Sequence, residues 1–150
     1  AALGKLAYPE IPKSYSEAAI AMETGKIVVM GGGIPGQTTD AVSVAVAEYI
    51  KADRIIIPTS VDGIYNCDPN VSKNAKKYQK ISPGKLVELS LQNTISAGSK
   101  SPVDPIACKL IERSKIRTIV MDGRNIEDLL KIVKKESENI DYDCPGTVIE

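Results

Sequence analysis

The chain has 150 residues, 43% of them hydrophobic and 25% charged, which is the balance of one ordinary globular domain with its own core. Nineteen Lys and Arg offset nineteen Asp and Glu, so the net charge of zero argues against a strongly electrostatic partner such as duplex DNA. His is absent, and this excludes Ser-His-Asp and Cys-His catalysis, His-ligated zinc and imidazole bases.

Ala1 to Lys13 holds Pro9 and Pro12 and reads as an irregular arm. Ser14-Tyr15-Ser16-Glu17 starts a helix with a hydroxyl cap and an acidic first turn, and Gly25 ends it. Lys26 to Met30 is short and nearly all apolar, the pattern of a strand buried on both faces. A glycine cluster follows, then a helix from about Thr38 to Lys51. Arg54 to Ile57 is a second buried strand, and Thr59 to Asn74 is a polar loop. A short strand is expected at Tyr78 to Ile81, and Ser82-Pro83 opens a helix. Asp104-Pro105 opens another, ending near Ser114. Arg117 to Met121 is a third buried strand, Ile126 to Glu136 a last helix and Gly146 to Ile149 a terminal strand. Strands alternating with helices imply a mainly parallel sheet with helices on both faces, a three-layer αβα sandwich. Ligands of such sheets sit beyond the C-terminal strand ends, here after Met30, Ile57 and Met121.

Cys67, Cys108 and Cys144 form no Cys-x-x-Cys pair and read as reduced thiols of a cytoplasmic protein. No run of about 18 apolar residues is present, so no membrane span is expected. With six Tyr and no Phe or Trp, a stacking platform for single-stranded nucleic acid is not expected either.

Three segments can carry chemistry. Gly31-Gly32-Gly33-Ile34-Pro35-Gly36-Gln37-Thr38-Thr39-Asp40 joins a strand to a helix. Glycines allow close backbone approach, and free amides at a helix start favour an anion such as phosphate. The segment lacks the Gly-Lys-Ser/Thr of a P-loop, and a tight turn with Thr38 or Asp40 as cap is the plainer reading. In Thr59-Ser60-Val61-Asp62-Gly63-Ile64-Tyr65-Asn66-Cys67-Asp68-Pro69, Tyr65 could lie against a flat ring, although turn composition alone explains Asp, Gly and Pro. Asp104 in Val103-Asp104-Pro105 is a preferred helix cap at the mouth of the sheet. Lys73, Lys76, Lys77 and Lys80 are most simply a solvated surface.

Taken together, residues 28–41, 59–69, 103–107 and 146–149 resemble the amino-acid kinase superfamily, and within it the uridylate (UMP) kinases of the archaeal type. The resemblance implies the carbamate kinase-like fold and transfer of the γ-phosphoryl of ATP to UMP, giving UDP, with Mg²⁺ carried by ATP and no protein-held metal. It implies that Gly33, Ile34, Pro35, Gly36, Gln37, Thr38 and Thr39 hold UMP, that Thr59, Tyr65 and Asp68 line the ATP site, and that Asp104 is the acidic catalytic residue beside the migrating phosphoryl. It further implies a cytoplasmic homo-oligomer, a hexamer built from dimers, with no nucleic-acid or membrane partner. The 150 residues match only the C-terminal two-thirds of such kinases, so they are expected to form a single α/β domain that is an incomplete part of the enzyme. A phosphate-binding Lys and further glycine loops are expected upstream of Ala1, and the 150 residues alone are expected to be inactive. Other readings are a kinase acting on isopentenyl phosphate, carbamate or N-acetylglutamate, a non-catalytic nucleotide-binding or storage protein on the same fold, and a dinucleotide-dependent oxidoreductase using the same glycines.

Overall fold

The computed structural model describes residues 2–33, 35–69, 71–95, 103–138 and 142–150. Among these, helix starts lie where side-chain oxygens can take up free amide protons. Ser14 Oγ accepts from Glu17 N–H at 3.2 Å and starts α1 (Tyr15–Met22). Thr38 Oγ1 accepts from Ala41 N–H at 3.2 Å and starts α2 (Thr39–Tyr49). Ser82 Oγ serves α3 (Pro83–Ile95) through Lys85 N–H. Asp104 Oδ1 accepts from Ile106 and Ala107 N–H at 2.8 and 3.1 Å and starts α4 (Pro105–Ser114), with Pro105 where no amide is needed. Asn125 Oδ1 does the same for α5 (Ile126–Glu138).

Four strands form one sheet: β1 (Arg54–Thr59), β2 (Lys80–Ile81), β3 (Arg117–Asp122) and β4 (Thr147–Ile149), in the order β1-β3-β4-β2. β1 and β3 run parallel, with Arg54 opposite Arg117 and Thr59 opposite Asp122. β2 and β4 are also parallel, whereas β3 and β4 are antiparallel.

The pleat sends alternate side chains to two cores. Ile55, Ile57, Val120 and Ile149 pack with Val44 of α2, Leu86 of α3 and Ile111 of α4. On the opposite face Ile119, Met121 and Val148 pack with Ile132 of α5 and Cys144. The result is the expected three-layer sandwich. Each fully buried Ile or Leu contributes about 1.5–3 kcal/mol relative to an exposed one. All three cysteines are free thiols, and burial pushes the Cys108 thiol up to about 11, so it acts as a small core residue. Among the described residues no helix is long and apolar enough to cross a membrane.

One expected element is different. Lys26 to Met30 is not a buried strand: among the described residues its ladder contact is a parallel bridge between Ala7 and Ile27, and Ile27 and Val29 are each 50% exposed. An apolar run becomes a central strand only when continuous neighbours take up its backbone groups. Here Ile27 N–H donates to Leu6 O and Tyr8 N–H to Ile27 O, both at 2.9 Å, and the pairing stops there.

Candidate active site

Each helix–strand unit places chemistry at one end of the sheet. α2 turns over within a few residues, runs into β1 and packs on it, so its start lies at the end where β1 finishes at Thr59. α4 leads into β3 in the same way, and β3 is parallel to β1. α2 also packs against α4. The two helix starts meet directly, since Asp104 N–H donates to Asp40 Oδ2 at 3.4 Å. This end therefore holds two carboxylates and the starts of two helices.

The glycine segment reaches α2 along a defined path. Gly36 has φ +89°, a conformation that favours glycine over any residue with a Cβ. Tyr15 of α1 donates its hydroxyl to Gln37 Oε1 at 3.3 Å, and its ring edge faces Gly33. Thr38 caps the helix, and the Thr39 carbonyl accepts from Ser43 Oγ at 2.7 Å. Pro35 is exposed in the turn, and Ile34 lies outside the described residues. Beside the segment, Met30, Gly31, Thr39 and Val42 line a groove of about 280 Å³.

The loop after β1 is fastened along its length. Thr59 Oγ1 accepts from Val61 N–H at 3.2 Å. Tyr65 donates its hydroxyl to Asp62 Oδ1 at 2.7 Å, and Lys77 Nζ donates to Asp62 Oδ2 at 3.1 Å and to Pro145 O at 2.9 Å. Partial burial works against the Asp62 charge, but the hydrogen bonds from Tyr65 and Lys77 outweigh it and hold the carboxyl below its usual range. The same bond from Tyr65 to Asp62 raises the Tyr65 hydroxyl. Lys77 is thus a strut beneath the loop, not part of a solvated lysine surface. The Asp68 carbonyl accepts from Val71 and Ser72 N–H and closes the loop's far turn.

Gly63 sits at the loop's tightest point. Ile64 N–H donates to Thr147 Oγ1 at 2.8 Å, and that hydroxyl donates to Tyr78 O at 2.6 Å. A Cβ on Gly63 would stand 2.5 Å from the same oxygen. Gly63→Ala is expected to cost about 2 kcal/mol, because the methyl must displace a buried hydroxyl that serves two bonds. Urea denaturation of the variant checks this; an unchanged midpoint would show that the loop yields freely.

The structure thus brings Thr38, Thr39 and Asp104 to one place and puts Thr59 at the same end of the sheet. Tyr65 and Asp68 lie further along the loop, turned into its own hydrogen bonding. Sequence reasoning missed the Asp40 contact to Asp104, the Tyr15 contact to the glycine segment and the role of Arg124 described below. Asp40 was legible only as an alternative cap, since its partner is 64 residues away.

A three-layer α/β sandwich of this order, with its loops gathered at the strand ends, defines the amino-acid kinase class of fold. The chain belongs to the amino acid kinase family, whose model matches residues 9–122. It is similar to uridylate kinase from Methanosarcina mazei, 54% identical over 136 residues that cover 91% of this chain and 58% of that protein. It is also similar to uridylate kinase from Methanococcoides burtonii, 52% identical over 141 residues that cover 94% of this chain and 60% of that one. Its structure is similar to the crystal structure of uridylate kinase from Archaeoglobus fulgidus, with a TM-score of 0.80 and 39% identity over 97% of this chain and 62% of the other. The chain therefore spans about 58–60% of the length of these curated relatives.

Proposed function

We propose that the protein carrying this chain transfers the γ-phosphoryl of ATP to UMP, giving UDP. The observation that carries the reading is the Asp104 amide on the Asp40 carboxylate. It joins the end of the glycine segment to the start of α4, at the sheet end where the loop 59–69 leaves β1. The similarity to uridylate kinases supports the choice of acceptor.

In this reading the backbone of Gly33 to Gln37 and the hydroxyls of Thr38 and Thr39 grip UMP, with the α2 amides facing its phosphate. Thr59, Tyr65 and Asp68 line the place of ATP. Asp104 stands beside the phosphoryl in transit and orients its cationic partners. Phosphoryl transfer runs on positioning and charge stabilisation, so a chain without His is no handicap. Among the described residues no group of three or more His, Cys, Asp or Glu gathers to hold a metal. The donor set nevertheless suits Mg²⁺ carried by ATP, since one or two carboxylates beside phosphate oxygens satisfy that ion, and Asp40 and Asp104 are adjacent. Bound there, Mg²⁺ offsets phosphate charge. The 150 residues act as one α/β domain holding the loops for both nucleotides. A homo-oligomer in the cytoplasm completes the reading; the exposed Ile20, Ile27 and Val29 offer apolar surface for association.

The test is nucleoside diphosphate formation by the intact protein with ATP, Mg²⁺ and each candidate acceptor. UDP formed from UMP, with no turnover of carbamate, N-acetylglutamate or isopentenyl phosphate, is the expected result. Turnover of one of those acceptors in place of UMP, or tight binding of NAD, contradicts it.

A further inference from the structure

The turn after β3 reaches across to the loop after β1. Thr59 and Asp122 are the last register partners of the two strands. One residue on, Gly123 N–H donates to Thr59 O at 2.8 Å, and a Cβ on Gly123 would meet Pro58 Cβ at 2.9 Å, so this close approach needs a glycine. Arg124 Nη2 then donates to Ser60 O at 3.0 Å. Its guanidinium is aimed by Asp122, which accepts from Nε at 2.9 Å, from Nη2 at 2.7 Å and from the Arg124 amide at 2.9 Å. This fork is geometry that Arg supplies and Lys does not. The inter-strand coupling of β1 and β3 is thereby carried past their ends into the first residues of the loop 59–69. Further along, the loop is attached at Asp62, Ile64 and Asn66 by Lys76, Lys77, Tyr78 and Thr147, on the segments leading into β2 and β4.

We propose that Asp122–Arg124 is a latch on the entry of the loop 59–69, and that Arg124 is a positioning residue for the nucleoside triphosphate this loop receives. The second half rests on the reading of that loop as the ATP site. Asp122 balances the Arg124 charge, so Arg124 acts through the Ser60 carbonyl and not as a free cation. Its side chain is 74% exposed, which limits the effect.

Two measurements on the intact protein and on Arg124→Ala and Arg124→Lys test this. The first is amide hydrogen exchange of residues 60–63 without nucleotide. Exchange about threefold faster or more is expected in both variants, with the amides of α4 and β3 unchanged. The second is titration with ATP and with UMP separately. ATP affinity is expected to fall about 3- to 10-fold in both variants, with UMP affinity unchanged. Unchanged exchange overturns the latch, whatever the nucleotides do. Faster exchange with unchanged ATP affinity overturns the positioning role. Equal loss of both nucleotides with a general rise in exchange also overturns it, since Arg124 would then be a plain structural residue. If the unaltered protein binds no ATP, the ATP-site reading fails, and exchange alone still decides the latch.

Discussion

Asp104→Asn is expected to lower kcat by about 100-fold or more while leaving the melting temperature nearly unmoved. The observed cap role of Asp104 and its proposed catalytic role separate in this substitution. As a cap, its Oδ1 accepts from the amides of Ile106 and Ala107. Asn keeps that oxygen and caps helices about as well as Asp. In its proposed place beside the migrating phosphoryl the charge has no substitute, because Asn is neutral and orients cations poorly. Asp104→Ala removes both roles and is expected to add a stability loss of about 1 kcal/mol. Steady-state kinetics with ATP and UMP, set beside thermal melts, check the split. A kcat retained in Asp104→Asn would reduce Asp104 to a helix cap.

Glu136→Ala is expected to cost about 2–3 kcal/mol and to lower the melting temperature by about 5–10 °C. Glu136 lies at the end of the sheet remote from the loops and is 6% exposed. It accepts from Arg54 Nε at 2.5 Å, from Arg117 Nε at 3.1 Å and from the Tyr142 hydroxyl at 3.2 Å. Arg54 and Arg117 stand opposite each other at the starts of β1 and β3, so one carboxylate ties both strands to α5. Removing it leaves two partly covered guanidinium groups side by side. Arg117 retains Glu150 as a partner.

Burial opposes the Glu136 charge, but Arg117 and Arg54 more than offset it and hold the carboxyl below its ordinary value of 4.5. A depressed carboxyl stabilises the fold fully above the unfolded-chain value and loses that contribution as pH falls through the native value. The urea midpoint of the unaltered protein is therefore expected to fall as pH drops below about 4.5, and that of Glu136→Gln to fall less. Parallel pH profiles for the two proteins would contradict this account of the network.

What was legible in the sequence was local. Helix starts at Ser14, Thr38, Ser82 and Asp104 are written in the side chain that takes up the first free amides. β3 could be read because it is buried on both faces and β1 because its apolar run is unbroken, although only the Ile55 and Ile57 face of β1 is fully buried and Ile56 is half-buried. Lys26 to Met30 has the same composition, yet its fate depends on which strands lie beside it, and no local pattern encodes that. The antiparallel entry of β4 between β3 and β2 is hidden for the same reason. At the candidate site, glycines, threonines and Asp104 stood out by type and spacing. Contacts such as Asp104 with Asp40, or Arg124 with Ser60, join residues 64 apart and emerge only from packing. Lys77 likewise looked like one member of a charged run, and only the fold puts it under Asp62.

Amide chemical-shift mapping with UMP and with ATP tests the central claim most directly. UMP is expected to perturb Gly33, the residues from Gly36 to Ala41, and Ile106 and Ala107; ATP is expected to perturb the stretch from Thr59 to Asp68. Shifts that gather instead around Arg54, Arg117 and Glu136, with the starts of α2 and α4 silent, would contradict it.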